Sequence, residues 1–291
     1  MNLCLSLLLL LGSDLGDLER QIRALIEDQP TVYGIAFALP ARDRELFINA
    51  DDVMHAASTM KTPVMMRLFE MIDQGHLSLQ QKVTVSNRFT SIIDGSSFTL
   101  TVKARESLYS KMDSQVTLER LIREMIIHSS NLATNLLIEL AGAEATTRLM
   151  SELGAANTFV LRGVEDLKAF RADRNNTSSA RSMLRVMLAC VTSPRFSQDS
   201  RRQMLTILRA QHYKDMIPAG LPQDSGARIA HKTGAISRVE HDAAIIDLPD
   251  GTRYGLTIFT RDFPGEPGRQ QARATGVAIS KLVYQWVTAL E

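Results

Sequence analysis

Ser58-Thr59-Met60-Lys61-Thr62-Pro63-Val64-Met65-Met66-Arg67-Leu68-Phe69 sets a hydroxyl and an amine three residues apart where an apolar run begins. From Pro63 to Gln74 the chain is apolar on most sides, which predicts a buried helix. Residues three apart on a helix share a face, so the Lys61 amine is within reach of the Ser58 hydroxyl. A serine hydroxyl is a weak nucleophile until a neighbouring base takes its proton, and burial lowers a lysine pKa toward that task. A helix N-terminus also aims backbone N–H groups at an oxyanion. Alone, the spacing is also met by a capping serine and an exposed lysine.

Outward from this stretch, the pattern changes on both sides. Before it, Leu15, Leu18, Ile22, Leu25 and Ile26 recur at helical spacing within Asp14 to Glu27. Thr31 to Leu39 predicts a strand, with Asp43 to Ile48 returning as its hairpin partner. After it the middle is helical. Leu118, Leu121, Ile122, Met125 and Ile126 form one face, and helices are expected over 131–141, 143–153, 177–191 and 197–210. Thr158 to Asn176 is rich in charge and without periodicity, and reads as a long functional loop. The end returns to strands at Arg228–Thr233, His241–Leu248 and Arg253–Thr260, with Pro249-Asp250-Gly251-Thr252 as the turn between the last two. A helix over Gln270 to Leu290 closes the chain. Early and late strands bury their faces best in one sheet. The expected fold is α+β: an antiparallel β-sheet flanked by N- and C-terminal helices, with an all-helical lobe of about residues 63–210 inserted in the middle. The cleft between sheet and lobe is the natural place for a site.

The bulk properties narrow the function class. The 291 residues suffice for a single large core, and 45% hydrophobic with 22% charged residues is ordinary for a globular protein. Net charge is +1 with no basic block, so a nucleic-acid partner is not expected. With two cysteines, Cys4 and Cys190, a cysteine metal site is excluded, and Cys190 reads as a small buried apolar residue. Neither a zinc-helix motif nor a P-loop nor a dinucleotide fingerprint occurs, so no metal or cofactor is expected. The thirteen methionines, Met65, Met66, Met125 and Met150 among them, read as core filler. Leu3 to Leu11 is nearly all apolar and too short to span a bilayer. Residues 1–13 therefore read as a signal-like leader before a single catalytic domain over 14–291. The location is then periplasmic or secreted, or cytoplasmic if the start is misassigned.

Two further motifs follow in order. Ser129-Ser130-Asn131 falls at the junction of two helices and would by itself serve as a cap for the helix beginning near Leu132. Lys232-Thr233-Gly234 ends a strand, where the glycine admits a substrate backbone and the lysine and threonine offer donors to a carboxylate. Together the three resemble the S-x-x-K, S-x-N and K-T-G set of the serine β-lactamase and penicillin-binding protein superfamily, in its class A form. Thr59, Pro63 and Asn135-Leu136-Leu137 extend the likeness, which runs from about Leu15 to the C-terminal helix.

The resemblance implies a hydrolase that opens β-lactams, with β-lactam catabolism and antibiotic resistance as the associated roles. Ser58 would be acylated with Lys61 assisting, and Ser129 would pass a proton to the leaving nitrogen. Asn131 would bind the acylamide side chain, Lys232 and Thr233 the substrate carboxylate. The N–H groups of Ser58 and Ala235, beside Gly234, would form the oxyanion hole. Glu165, 36 residues after Ser129, would activate the deacylating water. The substrate is then a small β-lactam or peptidoglycan-like molecule, and the chain a monomer without a stable membrane span.

The loop departs from the family pattern. Alanine stands at 169 where asparagine is expected, and Asn176 replaces the aspartate that would pair with Arg162. The loop is about two residues short. Arg162 therefore needs another partner, and Asp166 is a second candidate base. The carboxylate-binding arginine of many class A enzymes has no equivalent after the K-T-G motif, where Arg238, in a turn, and His241, on a strand, stand near its place. The altered loop favours, as alternatives, a penicillin-binding-type D,D-peptidase or esterase with slow deacylation and, further off, a non-catalytic β-lactam or muropeptide binding module.

Overall fold

A computed structural model describes residues 14–102 and 106–290; the leader expected over 1–13 lies outside them. Helix α1 (Leu15–Ile26) starts where the Asp14 carboxylate accepts the Gly16 N–H at 3.1 Å, and it buries Leu18 and Ile22. Strands β1 (Val32–Leu39) and β2 (Arg44–Ile48) form the expected hairpin. Strand β3 (Met54–His55) leads through a 3₁₀ turn, Ala57–Met60, into helix α2 (Lys61–Asp73). The middle then carries short strands as well as helices: β4 (Lys82–Thr84), β5 (Phe89–Thr90), β6 (Ser97–Phe98) and β7 (Gln115–Thr117). Helices α3 (Leu118–Ile127), α4 (Asn131–Ala141), α5 (Ala143–Glu152) and the short α6 (Leu167–Arg171) follow. Strand β8 (Thr177–Ser178) precedes α7 (Ala180–Thr192) and α8 (Gln198–Arg209). Strands β9 (Arg228–Ile236), β10 (Val239–Asp247) and β11 (Arg253–Arg261), then helix α9 (Gly265–Thr288), complete the chain.

The early and late strands join in one antiparallel sheet of order β2-β1-β11-β10-β9, so the helical middle is an insertion between them. One face of the sheet packs Ile35, Phe37, Leu256 and Ile258 against Leu18 of α1 and Ile279, Val283 and Trp286 of α9. Trp286 meets Phe37 edge-on, ring centroids 5.8 Å apart. Trp286→Ala would cost about 3–5 kcal/mol at such a buried site. The other face, with Ala36, Ala243, Ile245 and Phe259, packs on Val64 and Met65 of α2 and Met183 and Met187 of α7. The methionines named from the sequence are core residues, and Cys190 is fully buried among them.

Four expectations are adjusted. The expected all-helical lobe carries the pairs β4–β7 and β5–β6, and β3 pairs with β8. Strands of two or three residues leave no readable alternation. Helix α9 begins at Gly265 rather than Gln270. Helix α6 interrupts the expected loop, because the Asp166 side chain accepts the Ala169 N–H at 3.1 Å and caps it. The Lys232-Thr233-Gly234 motif lies inside β9, not at its end, since pairing with β10 continues to Ile236. Strand β9 is an edge of the sheet, and its free side runs against the 3₁₀ turn that carries Ser58. A Cβ on Gly234 would stand 3.1 Å from the Ser58 nitrogen and 3.0 Å from that of Thr59, so a side chain there would push the turn back by a few tenths of an ångström.

Candidate active site

Ser58 sits in the 3₁₀ turn, one turn before α2 begins, rather than on the α-helix itself. Positions i and i+3 eclipse in a 3₁₀ turn, so Ser58 and Lys61 still share a face. Ala57, immediately before Ser58, has φ 47°, a left-handed conformation that costs a non-glycine residue about 1 kcal/mol or more. Surrounding bonds enforce it. The Ala57 N–H donates to His55 Nδ1 at 3.0 Å, the Thr59 hydroxyl to the Ala56 carbonyl at 2.6 Å, and the Ala56 N–H to the Asn176 carbonyl at 2.9 Å.

Lys61 is fully buried, and its Nζ donates to the Ser129 carbonyl at 2.8 Å, Ser129 Oγ at 3.1 Å and Asn131 Oδ1 at 3.0 Å. Lys232, also fully buried, donates to Ser129 Oγ at 3.2 Å and to the Thr233 carbonyl at 2.8 Å. Burial pushes its amine down to about 7, against the opposing pull of Asp242. The Ser129 oxygen accepts from both amines, which leaves its own hydrogen to be donated elsewhere. Ser129 holds φ 56° between α3 and α4. The capping that the sequence assigned to this segment is performed by Ser130, whose hydroxyl accepts the Ala133 N–H at 3.0 Å, and this leaves Ser129 to the site.

Glu165, at φ 62°, turns its carboxylate into the same cleft. Oε1 accepts from Asn131 Nδ2 at 2.8 Å and Oε2 from the Thr101 N–H at 3.1 Å. The preceding residue is clamped by Asn135, which accepts the Val164 N–H at 2.7 Å and donates to its carbonyl at 3.0 Å. Asp166, the second candidate base, is committed elsewhere: it is buried and accepts from the Ser91 hydroxyl, the Ile92 N–H and the Ala169 N–H. Ala169 is fully buried and offers nothing to the cleft.

The loop neck solves the missing ion pair with amides. Asn176 Oδ1 accepts the N–H groups of Leu161 and Arg162 at 2.8 and 3.1 Å, and its Nδ2 donates to the Arg162 carbonyl at 2.9 Å. The Arg162 guanidinium donates to Asn175 Oδ1 at 2.8 Å and to the carbonyls of Arg174 and Gly163, each at 3.0 Å.

The cleft has a volume of about 1010 Å³, and Ser58, Ser129, Asn131, Glu165, Thr233 and Ala235 all line it. Lys61, Lys232 and Gly234 stand directly behind. All nine residues singled out in the sequence are thus brought together. Of the two carboxylate-binding candidates, Arg238 is exposed in the β9–β10 turn and bonds the Asp262 carbonyl at 3.2 Å. His241 is buried and bonds the His55 carbonyl at 2.9 Å. Besides Arg162 of the loop, Arg273 of α9 lines the cleft, held by Glu240 at 2.8 Å. Its place is a product of the fold, and no local pattern marks it. His55, which belongs to none of the three motifs, makes two bonds here, through Nδ1 and its carbonyl.

The Ser58 turn, backed by two buried lysines between a five-stranded antiparallel sheet and a helical lobe, has the arrangement of a serine acyl-transfer enzyme. The chain belongs to the β-lactamase enzyme family, whose model matches residues 17–287, and it is an enzyme of the serine β-lactamase kind. It is 24% identical over 258 residues to the extended-spectrum β-lactamase PER-1 of Pseudomonas aeruginosa, covering 84% of this chain and 80% of that one. A β-lactamase of Bacteroides uniformis is 24% identical over 268 residues, covering 86% and 85%. Among solved structures, PBP-A superposes with TM-score 0.81 at 30% identity, covering 95% of this chain and 97% of that one. An ancestral class A β-lactamase shares the fold with TM-score 0.78 at 23% identity, covering 92% and 99%. Among the described residues no helix is long and apolar enough to cross a membrane.

Proposed function

We propose that the enzyme hydrolyses β-lactams through an acyl-enzyme on Ser58, released by water that Glu165 activates. The carrying observation is the chain of hydrogen bonds from Asn131 through Lys61 and Ser129 to Lys232. Ser58 Oγ attacks the lactam carbonyl, and its proton passes by way of Lys61 and Ser129 to the nitrogen as the C–N bond breaks. The N–H groups of Ser58 and Ala235 hold the oxyanion, a contribution typically of about 3–4 kcal/mol to the barrier. Thr233 and Lys232 hold the substrate carboxylate, with Arg273 behind them. Water, deprotonated by Glu165, then attacks the ester carbon and returns Ser58. Every group named belongs to a single chain, so a monomer suffices. The same reading takes 14–291 as the catalytic domain and 1–13 as a leader for export.

A slower-releasing D,D-peptidase or esterase is the second reading. It is favoured by the buried Ala169 and by the amide-built loop neck, and one solved structure of PBP-A, a point mutant, is an acyl-enzyme complex with penicillin G. Turnover of a chromogenic cephalosporin by the purified protein tests the first reading. Steady hydrolysis supports it. A stable adduct on Ser58 without turnover supports the second, and the absence of both turnover and adduct overturns the two together.

A further inference from the structure

His55 lies outside the S-x-x-K motif, yet its side chain bonds directly to the turn that carries Ser58. Its Nδ1 takes the N–H of Ala57, the residue whose left-handed backbone sets the direction of Ser58. An imidazole nitrogen that accepts an N–H carries no proton, so the ring hydrogen is on Nε2. Its own carbonyl is held from behind by His241 Nε2, whose Nδ1 accepts the Thr260 N–H at 3.0 Å. His241 is fixed in turn by stacking on Phe259, ring centroids 3.9 Å apart and planes within 7°. On the loop side, the His55 ring packs edge-on against Phe170 of α6 at 6.3 Å, and its backbone pairs with Thr177 just beyond Asn176.

We infer that His55 is a positioning residue for the nucleophile: the lone pair on its Nδ1, braced by His241, holds the strained Ala57 turn that presents Ser58 to substrate. The inference rests on the reading of Ser58 as the acylated residue. The charged and titratable groups acting on the ring are Arg162 from the loop and His241 from β10. Burial, reinforced by Arg162, lowers the His55 pKa to about 4. The acceptor is therefore in place through the neutral range and is lost under acid, when Nδ1 gains a proton and turns from acceptor to donor.

The test uses the full chain and measures the rate of Ser58 acylation by a fluorescent penicillin, separately from its release. His55→Phe keeps a packed ring and removes the acceptor; His55→Asn supplies an amide oxygen in its place. The expected outcome is acylation about 10- to 100-fold slower in His55→Phe, the scale on which small displacements of reacting groups act. Initial binding should be unchanged, and most of the rate should return in His55→Asn. Acylation in His55→Phe within twofold of wild type, or no recovery in His55→Asn, overturns the proposal. The Ala57 amide gives a readout independent of chemistry. Its hydrogen-exchange protection should fall in wild type as pH drops through about 4, and should be low at neutral pH in His55→Phe. If wild type takes no label, the Ser58 reading fails, while unchanged Ala57 protection in His55→Phe overturns the role of His55 by itself.

Discussion

The two walls of the cleft are held by different means. On the Ser58 side, Lys61 and Lys232 are buried ammonium or amine groups on α2 and β9, tied together through Ser129. On the loop side, residues 161–176 are held at the neck by amide side chains, Asn135 on Val164, Asn176 on the Arg162 backbone and Asn175 on the Arg162 guanidinium, and around α6 by the Asp166 carboxylate on Ser91 and Ile92. Hydrogen bonds involving a charge contribute roughly 1.5–3 kcal/mol and neutral ones about 1 kcal/mol. Both walls carry bonds of the first kind, but on the first they converge on Ser129 beside Ser58, where the covalent bond would form. Release would depend on the second, where no carboxylate from 175 or 176 anchors the arginine.

Substitutions should separate the walls. Ser58→Ala is expected to lower kcat/KM by about 10³-fold or more, since loss of a nucleophile leaves only binding and the oxyanion hole. Any residual adduct found elsewhere by peptide mapping would contradict it. Glu165→Ala is expected to slow release by about 10²–10⁴-fold, the usual range for a general base, with acylation changed far less. Asn176→Ala leaves two backbone N–H groups and a carbonyl without their partner, at a cost of about 2–3 kcal/mol, visible as a lower Tm. Its release step should slow while acylation stays within a fewfold, and equal effects on both steps would erase the distinction between walls.

The last effect is on the pH dependence of stability. His55 and His241 have pKa values lowered to about 4 by burial, against about 6.5 in the unfolded chain. Between those values the unfolded chain binds protons that the folded one excludes. The stability of the neutral pair is therefore complete above about pH 6.5 and lost as pH falls through 4. Tm should decline across that window, and His55→Asn should make the decline shallower. A flat profile would mean that neither ring is held neutral by the fold.

The fold was legible wherever periodicity ran long enough. The faces of α1 and α3, the β1–β2 hairpin and the three late strands follow from Leu18 and Ile22, from Leu121 and Met125, and from the Pro249 turn. Strands such as β3 and β8, two residues each, carry no period and exist only because the loop neck lies against the Ser58 turn. The site was legible through its three motifs, since each places chemistry within a few residues. His55 and Arg273 were not assigned roles, because what gives them one is a neighbour far along the chain: His241 on β10 in the first case, Glu240 in the second. Asn135 was visible one helical turn beyond Asn131, although its grip on Val164 was not.

Intact-protein mass spectrometry of wild type and Glu165→Ala, mixed with penicillin G and sampled over time, bears most directly on two-step catalysis by opposite walls. Wild type should show at most a transient adduct on Ser58 while penicilloate accumulates. Glu165→Ala should form the same adduct at a similar rate and retain it. Loss of the adduct from Glu165→Ala as fast as from wild type would contradict the assignment of release to that loop.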